Sequence, residues 1–426
     1  MFGPGVYYKY VMTYSSETIT QVDVYDSPSH IVKTITTKNA LDSFWAFDTT
    51  TGYGPFNSCY AAINVSDGTV AFHLQPNNLK RQLGASSDMT AQELANYNIV
   101  WLIPTVYWSA TSTTLTLTNS STEGGTAYAH SVVSPTAKTY PFIGIGVYEA
   151  STTTISGNTA LMSQSGKSPA NNKSIYEADE YGQNTPGDAI LWNFYHWTFT
   201  KMATYMVGMG KNTQQIWGAG NTSGSSASTT GLGDTAGSYV SGQTTYSKVF
   251  IENSWGSVRE WVGSTYFNNR TLYLTTTTGG NSYSSDMGTS QGVNLPSIGW
   301  ITGTSKASAT WDLPTSSSST DNSTNVAYPG DRVYSNSGVR VFFVSGEYYD
   351  GTEAGVSYAH GGYWSTNAYV GGRLAYYLDA DAASTTTVPV NVGGTWKDAV
   401  PYINVNGTWK EATPYINVNG AWKEAK

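Results

Sequence analysis

The sequence predicts a β-rich α+β protein in three parts: an N-terminal β domain over residues 1–95, a larger central domain over 96–382 with one long helix, and tandem β-hairpin repeats over 383–426. Three observations carry this. The 426 residues include 32 tyrosines, 14 tryptophans and 44 glycines, with only 12% charged residues; aromatic and β-branched residues suit pleated sheets and glycine suits turns. Short segments alternate apolar and polar residues with period two. The end of the chain repeats itself, placing Trp396, Trp409 and Trp422 thirteen residues apart.

In the first part, "ETITQVDVYD", "HIVKTITT" and "GTVAFHL" show the alternation, separated by Gly, Pro and Asp clusters. The segment "SSDMTAQELANY" reads as a brief helix capped by Ser or Asp ahead of Glu93. In the second part, "TTLTLTN" and "PFIGIGVYEAS" read as strands. A long helix is predicted over 188–207. Thr185-Pro186 supplies its start, because proline is tolerated at the first helical position. Leu191, Phe194, Tyr195, Thr198, Met202, Tyr205 and Met206 then recur at helical spacing, and Gly208 and Gly210 stop it. That stripe reads as core. The Gly/Ser/Thr-rich runs near 218–243 and 313–325 are loops. In the third part each unit is an apolar strand, a Gly-Gly or Asn-Gly turn (Gly393-Gly394, Asn406-Gly407, Asn419-Gly420) and a strand with tryptophan, which is a hairpin signal. A lone hairpin is marginal in water, so three in tandem read as a contact or oligomerisation module whose tryptophans stack. "ASTTT" at 383–387 reads as a linker.

Composition excludes several function classes. The net charge of -8 speaks against a nucleic-acid binder. The single Cys59 rules out a disulfide framework and a cysteine zinc site. No window is apolar enough for a membrane-spanning helix, and the start "MFGPGVYYKY" does not resemble a signal peptide. Surface-like composition without an export signal points to assembly inside a cell and release by lysis, as for a virus particle. No HExxH, GxSxG or P-loop is present. His196 reads as a packing histidine, and "EADE" at 177–180 as a solvated helix face rather than an acid/base pair. No catalytic residue, metal ligand or cofactor is expected.

The stretch "IENSWGSVREWV" at 251–262 resembles the "GNVWEW" motif of the formylglycine-generating-enzyme-like branch of the C-type-lectin fold. "FIGIGVYEAS" resembles that fold's opening "G-x-YE" strand. The long helix with "NTQQIWGAG" resembles the helix and glycine-rich turn of phage-encoded members. "VRVFFVSGEYYDGTEAGVSYAH" (339–360) resembles the "RGGSWxNGxxAG" segment, and "YVGGRLAYYL" (369–378) the closing "NVGFRL" strand. The resemblance spans about 96–380 and is nearest to phage receptor-binding and tropism-determining proteins, including those diversified by retroelements. It implies a C-type-lectin-like central domain. The fold's enzymes use cysteines near the final strands; this chain has none there, which removes that catalysis. Trp255 and Trp261 around Gly256 read as packing.

These readings converge on a phage virion protein, not an enzyme, that binds a host-surface receptor, glycan or protein. Its ligand-binding residues are expected between "VRVFFV" and "GGRLAYY": Glu347, Tyr348, Tyr349, Asp350, Tyr358, His360, Tyr363, Trp364, Ser365, Asn367 and Tyr369. Tyrosine and tryptophan give large contact area at low entropy cost. The expected partners are the receptor, other virion proteins and further copies of the chain, such as a trimer, with no nucleic acid and no membrane insertion. The alternatives are a head or tail decoration protein without a receptor, and a polysaccharide depolymerase.

Overall fold

The computed structural model describes residues 2–37, 41–132, 138–275, 288–363 and 365–381, and six strands beyond residue 387. Two compact units divide the chain, Met1–Ala380 and Asp381–Lys426.

The first unit is β-rich, with three large sheets. A five-stranded antiparallel sheet runs in the order Ile31–Ile35, Thr18–Tyr25, Lys9–Ser15, Thr114–Thr118, Tyr107–Ala110. A seven-stranded sheet runs Asp188–Leu191, Leu374–Leu378, Phe142–Gly146, Tyr97–Pro104, Cys59–Asn64, Val70–Gln75, Asn78–Gln82. Both sheets cross residue 95. Tyr10 faces Leu117 across one strand pair, and Tyr60 faces Trp101 across another. The boundary expected near residue 95 is therefore not structural: the strands on either side hydrogen-bond each other and share one core. Composition could not show this, because a strand's pairing partner leaves no mark on its own alternation.

A nine-stranded sheet carries the later segments. Its path is Thr289–Asn294, Thr271–Leu274, Arg259–Asn268, Val339–Val344, Ala359–Gly362, Arg332–Ser335, Ile298–Thr304, Pro314–Ser318, and Val370–Gly371 joins Arg259–Asn268 in parallel.

Among the described residues four α-helices lie beside these sheets: α1 (Ala91–Leu94), α2 (Ile175–Gln183), α3 (Phe194–Gly208) and α4 (Thr213–Trp217). The long helix starts later than the sequence predicts. Asp188–Leu191 is a strand paired with Leu374–Leu378, and α3 begins after Asn193, whose Oδ1 accepts from the Tyr195 and His196 amides. The Pro186 signal loses because an asparagine cap satisfies orphan amides that proline leaves open. Every α3 residue but Tyr195 is buried, as befits a helix apolar on all sides. It ends at Gly208, close to the expected place, but the left-handed cap is Met209 rather than a glycine: Met209 adopts φ 53° and its amide donates to the Tyr205 carbonyl. The brief helix α1 is capped by Thr90, not by Ser or Asp, in a reciprocal box with Glu93. The "EADE" segment lies in α2, where Glu180 is exposed but Asp179 is buried.

The core is aromatic. Trp101 stacks on Phe250 at 4.2 Å and on Phe199 at 5.5 Å. Buried charges pin the periphery to it: Lys211 Nζ lies 2.5 Å from Glu17 Oε2, in the turn of the first hairpin, and 2.6 Å from Asp312 Oδ1.

In the second unit, three antiparallel strand pairs share one register, with Asn391 opposite Trp396, Asn404 opposite Trp409 and Asn417 opposite Trp422. The expected turns and linker, and the stacking of the tryptophans, lie outside the described residues.

Candidate functional site: a cleft beside an anchored tyrosine loop

Two consecutive residues of the strand Arg259–Asn268 have opposite environments. Glu260 is fully buried and faces Arg373, which is also fully buried. Arg373 Nε donates to Glu260 Oε2 at 3.0 Å and Nη2 to Oε1 at 2.5 Å. Nη1 donates to the Gly146 and Val147 carbonyls, and Nη2 also to that of Glu252. Glu149 lies close by. Its carboxylate accepts from Asn253 Nδ2, Ser257 Oγ and the Val258 amide. Burial, with Glu260 adding repulsion, pushes the Glu149 pKa up to about 8. So "VYE", "ENSWGSV", "REW" and "GGRL" meet in one buried network. Trp255 and Trp261 are both buried, and Gly256 has φ 78° with the Asn221 carbonyl 2.7 Å from where a Cβ would stand. These segments pack.

Arg259 faces the other way. Its Nε and Nη2 hold Asp350 at 3.3 and 2.8 Å, and Nη2 is 2.8 Å from Glu347 Oε1. The guanidinium lies 5.0 Å from the Tyr369 ring centre and 5.5 Å from that of Tyr358. Neither Glu347 oxygen makes a hydrogen bond of good geometry, despite the close Arg259 nitrogen. Burial pushes the Glu347 pKa up to about 8, against the pull of Arg259.

The loop after Val344 is fixed by its main chain. The Tyr348 amide donates to the Ser257 carbonyl at 3.1 Å and that of Gly351 to the Thr222 carbonyl at 2.7 Å. Gln214 Nε2 donates to the carbonyls of Gly351 and Ala354. Asp350 Oδ2 accepts from the Glu347 amide at 2.9 Å. Gly346 has φ 75°, with Ala354 Cβ 2.6 Å from any added Cβ, so only glycine fits.

Beside this loop is a cleft of about 160 Å³. Of the expected residues, His360, Tyr363, Ser365, Asn367 and Tyr369 line it; Arg259, Trp261, Asn336 and Phe343 contribute walls that sequence reasoning missed. The missed signal is "VREWV", a charged pair inside an apolar strand. Tyr349 and Tyr363 are exposed large side chains, at 54% and 58% exposure. Tyr349 packs edge-on against Tyr348 and Tyr369, and the Arg340 guanidinium lies 4.2 Å from the Tyr363 ring centre. Ser365 is exposed, while Tyr348, His360, Asn367 and Tyr369 are half-buried. Burial, and next the charge of Arg259, hold the His360 pKa down to about 3.

Three expected contact residues need correction. Glu347 and Tyr358 are fully buried and cannot touch a ligand: one turns in towards Arg259, the other packs beneath the same guanidinium. The Asp350 side chain is only 7% exposed and is occupied by Arg259 and the Glu347 amide. Trp364 lies outside the described residues. Among the described residues no group of three His, Cys, Asp or Glu side chains is placed to hold a metal ion, and no helix is long and apolar enough to cross a membrane.

No family model matches the chain, and no curated protein matches it significantly. One solved structure similar to it, titled Major Tropism Determinant P3c Variant, has 13% identity and a TM-score of 0.24, over 86% of this chain and 84% of that one. A TM-score that low does not establish a shared fold.

Proposed function

We propose that the chain is a phage virion protein that binds a host-surface receptor through the tyrosine loop and the cleft beside it. One observation carries this reading: the exposed Tyr349 and Tyr363 stand close to a concave, aromatic-walled cleft, Tyr349 in a loop held by main-chain bonds and Tyr363 directly after the strand Ala359–Gly362. Exposed aromatics on a pre-ordered loop lose little entropy on binding, and such residues dominate binding hot spots. The motif resemblance adds support, since the matching segments supply the buried Arg373–Glu260–Glu149 network behind the site. In this reading the central segment is C-type-lectin-like and non-enzymatic, and the protein assembles with other virion proteins as a homo-oligomer. The receptor residues are Tyr348, Tyr349, His360, Tyr363, Ser365, Asn367 and Tyr369, with Trp364 beside them in sequence.

The test is adsorption. Tyr349→Ala with Tyr363→Ala should lower binding of the purified protein to host cells at least about tenfold, the loss of one or two hot-spot side chains. Its melting temperature should stay unchanged. Full adsorption by the double variant would refute the assignment.

A further inference from the structure

The receptor reading does not use one feature of the cleft. A guanidinium has five N–H donors in a fixed plane. In Arg259, Nε and Nη2 are taken by Asp350, with Glu347 beside Nη2. Among the described residues nothing accepts from Nη1, yet Nη1 is not among the buried polar atoms left without a partner, so solvent reaches it. The side chain is 13% exposed and forms part of the cleft wall. The carboxylates hold the Nε–Nη2 edge, which leaves Nη1 without a protein acceptor on a residue that lines the cleft.

We propose that Arg259 Nη1 is an anion-recognition point and that the cleft takes a carboxylate carried on one small polar ring, the chemistry of an acidic sugar residue. The inference rests on the receptor reading and names the ligand group. Size limits the occupant: about 160 Å³ is well under the roughly 300 Å³ at which drug-sized pockets begin, so one ring fits and a chain does not. Tyr363 and Tyr369 offer ring faces at its wall, and Asn336, Ser365 and Asn367 add amides and a hydroxyl for ring substituents. The charge is not cancelled twice. Asp350 occupies the far edge of the guanidinium, and buried Glu347 holds its proton at neutral pH. Burial is the main cause of the depressed His360 pKa, and the Arg259 charge adds to it. An N–H donor to a carboxylate is a strong, charge-assisted bond.

Calorimetric titration of the full chain with D-glucuronate, D-glucose and L-glutamate tests this. Glucuronate should bind at least about tenfold more tightly than glucose, the worth of one charge-assisted hydrogen bond, and more tightly than glutamate. Arg259→Lys, which keeps the charge but loses the fork, should abolish that preference. Should Arg259→Lys lower the melting temperature, Ser365→Trp at the exposed mouth decides instead, by blocking glucuronate with the fold intact. Equal binding of glucose and glucuronate overturns the anion point. Glutamate binding as well as glucuronate overturns the sugar assignment in favour of an acidic protein side chain. Binding of no probe overturns the inference, while the receptor reading is judged separately by adsorption of the tyrosine variants.

Discussion

Arg259 and Arg373 are the same residue type with carboxylate partners, and the two clusters meet one strand at adjacent positions, Arg259 itself and Glu260, the partner of Arg373. Arg373 is fully buried and spends its donors on Glu260 and on main-chain carbonyls. Arg259 is held on one edge and leaves Nη1 unanswered. Complete satisfaction marks a group that holds the fold; partial satisfaction at a cleft marks a group kept for something else. The two arginines should therefore differ sharply when replaced.

The largest effect is expected at the closed pair. Arg373→Met strands Glu260 in the core and should cost about 3–5 kcal/mol, read by chemical denaturation. Arg259→Met should cost clearly less, about 1–2 kcal/mol, because Glu347 already favours its protonated form and Asp350 keeps the Glu347 amide as a donor. Equal losses would break the comparison.

Gly346→Ala comes next, at about 1–3 kcal/mol, because the left-handed backbone and Ala354 Cβ leave no room. It should also lower receptor adsorption by shifting the tyrosines.

A pH profile sharpens the contrast further. Glu149 titrates near pH 8 in the folded protein and near 4.5 when unfolded, so between those values the folded state holds the extra proton. Stability must then fall as pH rises through that window, by up to about 1.4 kcal/mol per unit for this group. Buried His130 and His196, with pKa values lowered to about 4 and 3, act oppositely below about pH 6.5. Between pH 6.5 and 8 the histidines drop out, Glu347 adds a slope of the same sign as Glu149, and denaturation there should show a downward slope that Glu149→Gln reduces by its own share. A slope unchanged in Glu149→Gln would remove Glu149 as its source.

The smallest effect is expected from removing residues 381–426, which form their own compact unit. The melting temperature of residues 1–380 should move by no more than about 2 °C, less than about 1 kcal/mol in a chain this size.

The sequence made local features legible and partnerships obscure. Alternation located Thr18–Tyr25 and Thr114–Thr118, and helical spacing located α3. Both signals belong to a residue and its near neighbours. The pairing of Cys59–Asn64 with Tyr97–Pro104 depends on the whole sheet, so the boundary at residue 95 was misplaced. The candidate site shows the same division. A dense run of aromatic and polar residues marked the region, and Tyr349 and Tyr363 do stand out from the surface. The direction of Glu347 and Tyr358 is set by Arg259, about ninety residues earlier in the chain, and no reading of the loop alone could supply it.

The anchoring of the 345–351 loop has a consequence for how specificity can change. Its path is written in the main chain, by the Ser257 and Thr222 carbonyls, and in a few fixed side chains: Gly346, Asp350 and Gln214. Positions 348, 349, 352, 363 and 365 contribute little to that path. A library randomised at those five positions should keep most members folded while altering what they bind, so that a new target is reached by repainting a surface, with no need to redesign the frame beneath it.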